Sequence, residues 1–111
     1  MQKLKDKYKD YFKIGAEVNA WSINSHADLV TTHFNSITCE NEMKPVSLAP
    51  EEGKFTFERA DAIYDFAVKN DLELRGHTFV WHNQTPDWFF NAKDRDELLE
   101  RLRNHISVVG N

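Results

Sequence analysis

The spacing of apolar residues along the chain switches repeatedly between a period of two and a helical period, and each switch marks an element. Phe12-Lys13-Ile14-Gly15-Ala16-Glu17-Val18 predicts a first strand, preceded by a short charged helix that runs out at Tyr8 to Phe12. Asn24 or Ser25 is placed to cap a helix through Ala27, Leu29, Val30, His33 and Phe34. Asn35-Ser36-Ile37-Thr38-Cys39-Glu40 is rich in β-branched residues and predicts a second strand. A loop broken by Pro45, Pro50 and Gly53 follows. Thr56 is then positioned to cap a helix with Ala60, Ile63, Tyr64, Ala67 and Val68 on one apolar stripe. Asn70-Asp71 closes it, and Leu72 to Trp81 predicts a third strand. Asp94-x-x-Glu97 has the form of a capping box for a last helix whose inner face is Leu98, Leu102, Ile106 and Val109.

Strand and helix thus alternate three times over residues 1–111, which calls for an α/β fold with parallel strands covered by helices. Three parallel strands do not complete such a fold. A closed parallel barrel needs eight strands and ~250 residues. An open parallel sheet usually has about five or more. The expectation is an incomplete (β/α)₃ piece of one or the other, with open sheet edges and helices on one face only. Such edges predict self-association, or pairing with a complementary barrel fragment.

The far end of the third strand carries unusual chemistry. Trp81-His82-Asn83-Gln84 stands where a structural strand would have turn residues. On a continuous strand His77, Phe79 and Trp81 point one way and Thr78, Val80 and His82 the other. An indole and an imidazole on one face, followed by amide side chains, suit a sugar-binding mouth: a flat apolar surface ringed by hydrogen-bonding groups.

Composition narrows the alternatives. The net charge is −4, with 41% hydrophobic, 13% aromatic and 29% charged residues, so no basic patch exists to contact nucleic-acid phosphates. No apolar run reaches the ~18 residues of a membrane span, and the N-terminus lacks the apolar core of a signal peptide. Both a cytoplasmic protein and a mature secreted one without its leader fit these features. Cys39 is the single cysteine and reads as a small buried hydrophobe. His77 and His82 lie five apart on opposite strand faces, and no metal-ligand motif appears, so no metal is expected. His26, His33 and His105 read as surface or helix-face residues, and Glu42 as a salt-bridging one.

Three motifs, in order, resemble the N-terminal third of glycoside hydrolase family 10, the (β/α)₈ TIM-barrel endo-1,4-β-xylanases. They are Phe12 to Asn19, Glu40-Asn41-Glu42-Met43-Lys44, and Gly76-His77-Thr78-Phe79-Val80-Trp81-His82-Asn83-Gln84-Thr85-Pro86. The resemblance implies retaining hydrolysis of β-1,4-xylan without a cofactor. It implies that Glu40 and Asn41 bind the sugar two places to the non-reducing side of the cut. Lys44, His77 and Trp81 would line the sugar at the cut, Gln84 would reach toward the outer one, and His82 would support the mouth. Glu17 departs from the family, which more often has a small residue there; its carboxylate faces either the barrel lumen or a helix.

Retaining hydrolysis needs two carboxyl groups about 5–5.5 Å apart. In the family the acid/base glutamate follows the fourth strand in a Trp-Asp-Val-x-Asn-Glu motif, and the nucleophile ends a strand near the seventh. Neither segment occurs in this sequence. The chain alone is therefore expected to bind xylan or xylo-oligosaccharides without hydrolysing them. A non-catalytic split-barrel fragment and a small xylo-oligosaccharide-binding protein are the alternatives.

Overall fold

The computed structural model describes residues 1–111. Its centre is a three-stranded parallel sheet in the order β1 (Gly15–Val18), β2 (Ser36–Cys39), β3 (Glu73–Arg75). The register is fixed by the pairs Val18↔Cys39 and Ile37↔Leu74, so Val18, Ile37, Cys39 and Leu74 share one face. That face is apolar because helices cover it. The short α1 (Leu4–Lys7) precedes β1, helices α2 (Ser22–Ser25) and α3 (Ala27–His33) follow it, and α5 (Glu58–Lys69) precedes β3, after the short α4 (Pro45–Leu48). Val18, Ile23, Val30, Ile37, Cys39, Ile63, Ala67 and Leu72 form the core between sheet and helices.

The opposite face is uncovered and polar. Glu17, Thr38 and Arg75 stand in one row across it, and Gly15, Ser36 and Glu73 in the next. Glu17 therefore points away from the helices and is exposed. Lys13 forms an ion pair with Glu73 along the same face. One-sided coverage explains why only 16 of 111 residues are buried. It also explains extents of 58 × 28 × 23 Å and a radius of gyration of 16.5 Å, against roughly 13 Å for a globule of this length.

Helix α5 begins one residue later than Thr56 suggests, with Phe57 at its N-cap and no side-chain cap; Thr56 instead donates to the Ser47 carbonyl. Its buried residues are Ala60, Ile63 and Ala67, with Phe66 packed on the core, while Tyr64 and Val68 are exposed. It ends where the Asn70 side chain donates to the Phe66 carbonyl and Asp71 takes φ 54°, the left-handed turn that closes a helix. Likewise neither Asn24 nor Ser25 caps α3; both belong to the single turn of α2.

The short α6 (Asp87–Phe90) packs against α7 (Arg95–Gly110). Asp94 caps α7 by accepting from Glu97 N at 2.9 Å, and Glu97 reaches back to Lys93 N at 2.6 Å. Its buried residue is His105, 1% exposed, whereas Ile106 is 42% exposed. The surface reading of His105 is thus corrected. Its ring lies between Phe55, centroids 6.2 Å apart, and Phe89, 5.3 Å, so an aromatic layer and not the sheet sets the inner face of α7.

Candidate functional site

All three strands run the same way, so their C-terminal ends converge on one rim. Asn19 leaves β1, Glu40 and Asn41 leave β2, and His77 to Gln84 follow β3. The third strand stops at Arg75 and does not run to Trp81. Its one neighbour ends at Cys39, so nothing pairs with the backbone beyond. Strand alternation therefore does not aim His77, Phe79 and Trp81. The His77 and Trp81 rings are 6.4 Å apart, while Phe79 lies within 4 Å of the space above Gly110. His82 meets the Trp81 ring edge-on at 5.6 Å, and its Nε2 is 3.3 Å from Asn83 Nδ2.

Lys44 is the centre of the rim. It is 8% exposed and forms no salt bridge. Its ammonium donates to Asn41 Oδ1 at 3.0 Å and Gln84 Oε1 at 2.7 Å, and lies 5.2 Å from the centroid of Trp81. A desolvated ammonium needs such acceptors and a π face in place of water. Gln84 adopts φ 50°, donates from Nε2 to Asn41 Oδ1 at 3.2 Å, and accepts at its backbone carbonyl from Val46 N at 2.9 Å. Asn41, Lys44, Trp81 and Gln84 thus form one cluster.

Glu40 joins the rim through a residue that the sequence reading did not single out. Asn19 Nδ2 donates to Glu40 Oε2 at 2.7 Å, while Asn19 Oδ1 accepts from Trp21 N and Ser22 N at the start of α2. The available signal was Asn19-x-x-Ser22 directly after a strand, a local capping pattern. Glu42 makes no salt bridge either. It is 7% exposed, and its carboxylate accepts Ala20 N at 3.0 Å and Asn41 N at 3.2 Å. With both oxygens occupied by backbone N–H groups, Glu42 is unsuited to act as a nucleophile or acid beside Glu40.

The hydrogen-bonding capacity left over defines what the rim can do. Asn41 Oδ1 already accepts twice, so Asn41 presents its amide donors. Lys44 retains one N–H, and one Glu40 oxygen remains free to accept. The rim thus offers donors from Asn41 and Lys44 and an acceptor from Glu40, with the Trp81 indole against Lys44, groups that suit hydroxyls on a flat ring.

Cys39 offers no chemistry here: burial, and then the Glu42 carboxylate, push its thiol up to about 12. No three His, Cys, Asp or Glu side chains gather as metal ligands. No helix is long and apolar enough to cross a membrane. A cleft of about 280 Å³, lined by Glu52, Trp88, Glu97, Arg101 and His105 among others, lies against α7, away from the rim residues.

Residues 3–111 match the family model described as glycosyl hydrolase family 10. Endo-1,4-beta-xylanase A of Caldicellulosiruptor saccharolyticus is 52% identical over 108 residues, covering 92% of this chain and 32% of that protein. A GH10 xylanase of Thermobacillus composti superposes with a TM-score of 0.93 at 56% identity, over 98% of this chain and 35% of the other. The intracellular xylanase of Thermoanaerobacterium saccharolyticum, solved with xylotriose, superposes at 0.94 and 47% identity, over 98% and 37%. The chain thus spans about a third of the length of these relatives, and its parallel strands and helices are three β/α units of their TIM-barrel fold. It belongs to glycosyl hydrolase family 10.

Proposed function

We propose that this chain carries glycone-side substrate-binding residues of a retaining endo-1,4-β-xylanase and does not hydrolyse xylan alone. Glu40 and Asn41 bind the sugar two places to the non-reducing side of the cut, and Gln84 reaches toward it. Lys44, His77 and Trp81 hold the sugar at the cut, with His82 behind Trp81. The observation that carries the reading is the buried Lys44 ammonium, held by Asn41 and Gln84 against the Trp81 ring with a donor to spare. An ammonium without a counter-carboxylate stays available to neutral hydroxyl oxygens. The xylotriose complex of the Thermoanaerobacterium relative supports a xylo-oligosaccharide as the ligand class.

The chemistry of the parent reaction needs a nucleophile and an acid/base, and no cofactor. Glu40 and Glu42 do not fill those roles in this chain, since Glu42 is committed to backbone N–H groups. The test is hydrolysis of soluble xylan by the purified chain beside Glu40→Gln, with xylotriose titrated into each by NMR. No turnover, with shifts at Trp81 and Lys44 that Glu40→Gln weakens, is the expected result. Turnover abolished in the variant would make Glu40 catalytic and overturn the reading.

A second reading draws on the uncovered polar sheet face and the open edges of β1 and β3. Here the chain pairs with a copy of itself or with a complementary barrel piece. Light scattering decides it: a strict monomer at all concentrations removes self-association. Tight xylotriose binding by that monomer would favour an independent binding protein instead.

A further inference from the structure

Glu42 is the one buried carboxylate of the molecule, and neither an ion pair nor the proposed sugar contacts use it. Its position explains why it is there. The β1–β2 ladder runs one step beyond the strands, where Glu40 N donates to the Val18 carbonyl at 2.8 Å. Beyond it Asn19 N is met by Ser22 Oγ at 2.8 Å, and it is Ala20 N and Asn41 N that would be left without partners as the two chains diverge. One oxygen of Glu42 takes the first and the other oxygen takes the second.

We propose that Glu42 is a positioning residue: its carboxylate ties the ends of β1 and β2 together and thereby sets the geometry of the rim before any ligand arrives. The tie acts at the two points that matter. On the β1 side it holds Ala20, next to the Asn19 that orients Glu40. On the β2 side it holds the backbone of Asn41, whose side chain receives both Lys44 and Gln84, and whose carbonyl accepts Lys44 N at 3.1 Å. A shift at Asn41 is therefore passed to two other rim residues, Lys44 and Gln84. A carboxylate is required because both of its ends accept. The amide of glutamine accepts at one end and presents a donor at the other, so one of the two N–H groups would face another donor. In its bearing on sugar this inference rests on the proposed function; the tie itself does not.

The experiment is amide hydrogen exchange by NMR on the whole chain, wild type beside Glu42→Gln, followed by xylotriose titration of both. Glu42→Gln is expected to speed exchange at Ala20 or Asn41 on the order of tenfold to a hundredfold, the loss of one hydrogen bond to a charged acceptor. Amides of the β2–β3 ladder stay protected, the Asn41 side-chain amide signals move, and xylotriose affinity falls severalfold although no sugar ligand has been changed. Exchange at Ala20 and Asn41 unchanged within about threefold would overturn the proposal. If Glu42→Gln loosens every amide alike, Glu42→Asp decides. It keeps the charge but shortens the reach, so local loss at the rim supports the tie and general loss refutes it. A wild-type chain that ignores xylotriose would sink the sugar reading alone, because the exchange data still judge the tie.

Discussion

Replacing His105 by leucine should stabilise this protein, against the usual outcome of a core substitution. His105 is 1% exposed and neither Nδ1 nor Nε2 has a hydrogen-bond partner. Each buried, unpaired polar group costs about 1–3 kcal/mol. Leucine is of similar volume and removes both. It also surrenders the edge-to-face contact with Phe89 at 5.3 Å, worth roughly 0.5–1.5 kcal/mol. Taking the lower figure for each nitrogen leaves a net gain of about 1 kcal/mol, or about 4–8 °C in melting temperature for a domain of this size. The variant should also change the pH response. Burial holds the His105 pKa below its ordinary 6.5, so the folded state prefers the neutral ring. The unfolded chain takes up the proton first as pH falls, so stability is full above pH 6.5 and declines as pH drops through the lowered folded value. Phe55 and Phe89 against the ring are uncharged, Glu52 and Glu97 in the adjoining cleft pair with Arg101, and although Glu100 lines the same cleft, burial is what sets the direction. Urea unfolding followed by circular dichroism at pH 7.5 and 5.5 measures both effects. His105→Leu destabilised by more than about 1 kcal/mol at pH 7.5, or keeping the wild-type acid slope, would refute the reasoning.

Lys44→Met should leave stability unchanged or slightly raised, since an ammonium without a counter-charge is costly to bury, while xylotriose-induced NMR shifts at Trp81 vanish. Asp94→Ala should lower stability by about 1 kcal/mol through loss of the α7 cap, and Asp94→Ser should restore most of it in thermal melts. Cys39 should resist thiol reagents at pH 8 until urea unfolds the chain; labelling of the native protein at the rate of a free thiol would contradict its burial. Because its folded pKa of about 12 lies above the ordinary 9.0, stability should fall as pH rises from 9 toward 12, and Cys39→Ala should flatten that fall in alkaline urea titrations.

What the sequence disclosed and what it withheld follow from the range of the interactions involved. Asp94 and Glu97 cap a helix within one turn, so the pattern alone located the start of α7. The stripe through Ala60, Ile63 and Ala67 was legible for the same reason, but its width was not. Tyr64 and Val68 sit on its flank, and only the direction from which the sheet approaches decides that Phe66 is covered in their place. The apolar pattern from Leu72 to Trp81 outruns the third strand because strand length belongs to a pair, and β2 ends at Cys39. Polarity misled at His105, whose burial comes from Phe55, far away in the chain. The rim obeys the same division. Parallel strands must end on one side, so Glu40, Asn41, His77, Trp81 and Gln84 were bound to lie near one another once the alternation was read. Their bonding partners depend instead on contacts across 20 to 40 residues, from Asn19 to Glu40, Ala20 to Glu42 and Lys44 to Gln84. Strand topology thus brings the chemistry together, while side-chain ties between neighbouring strand ends give it a defined shape.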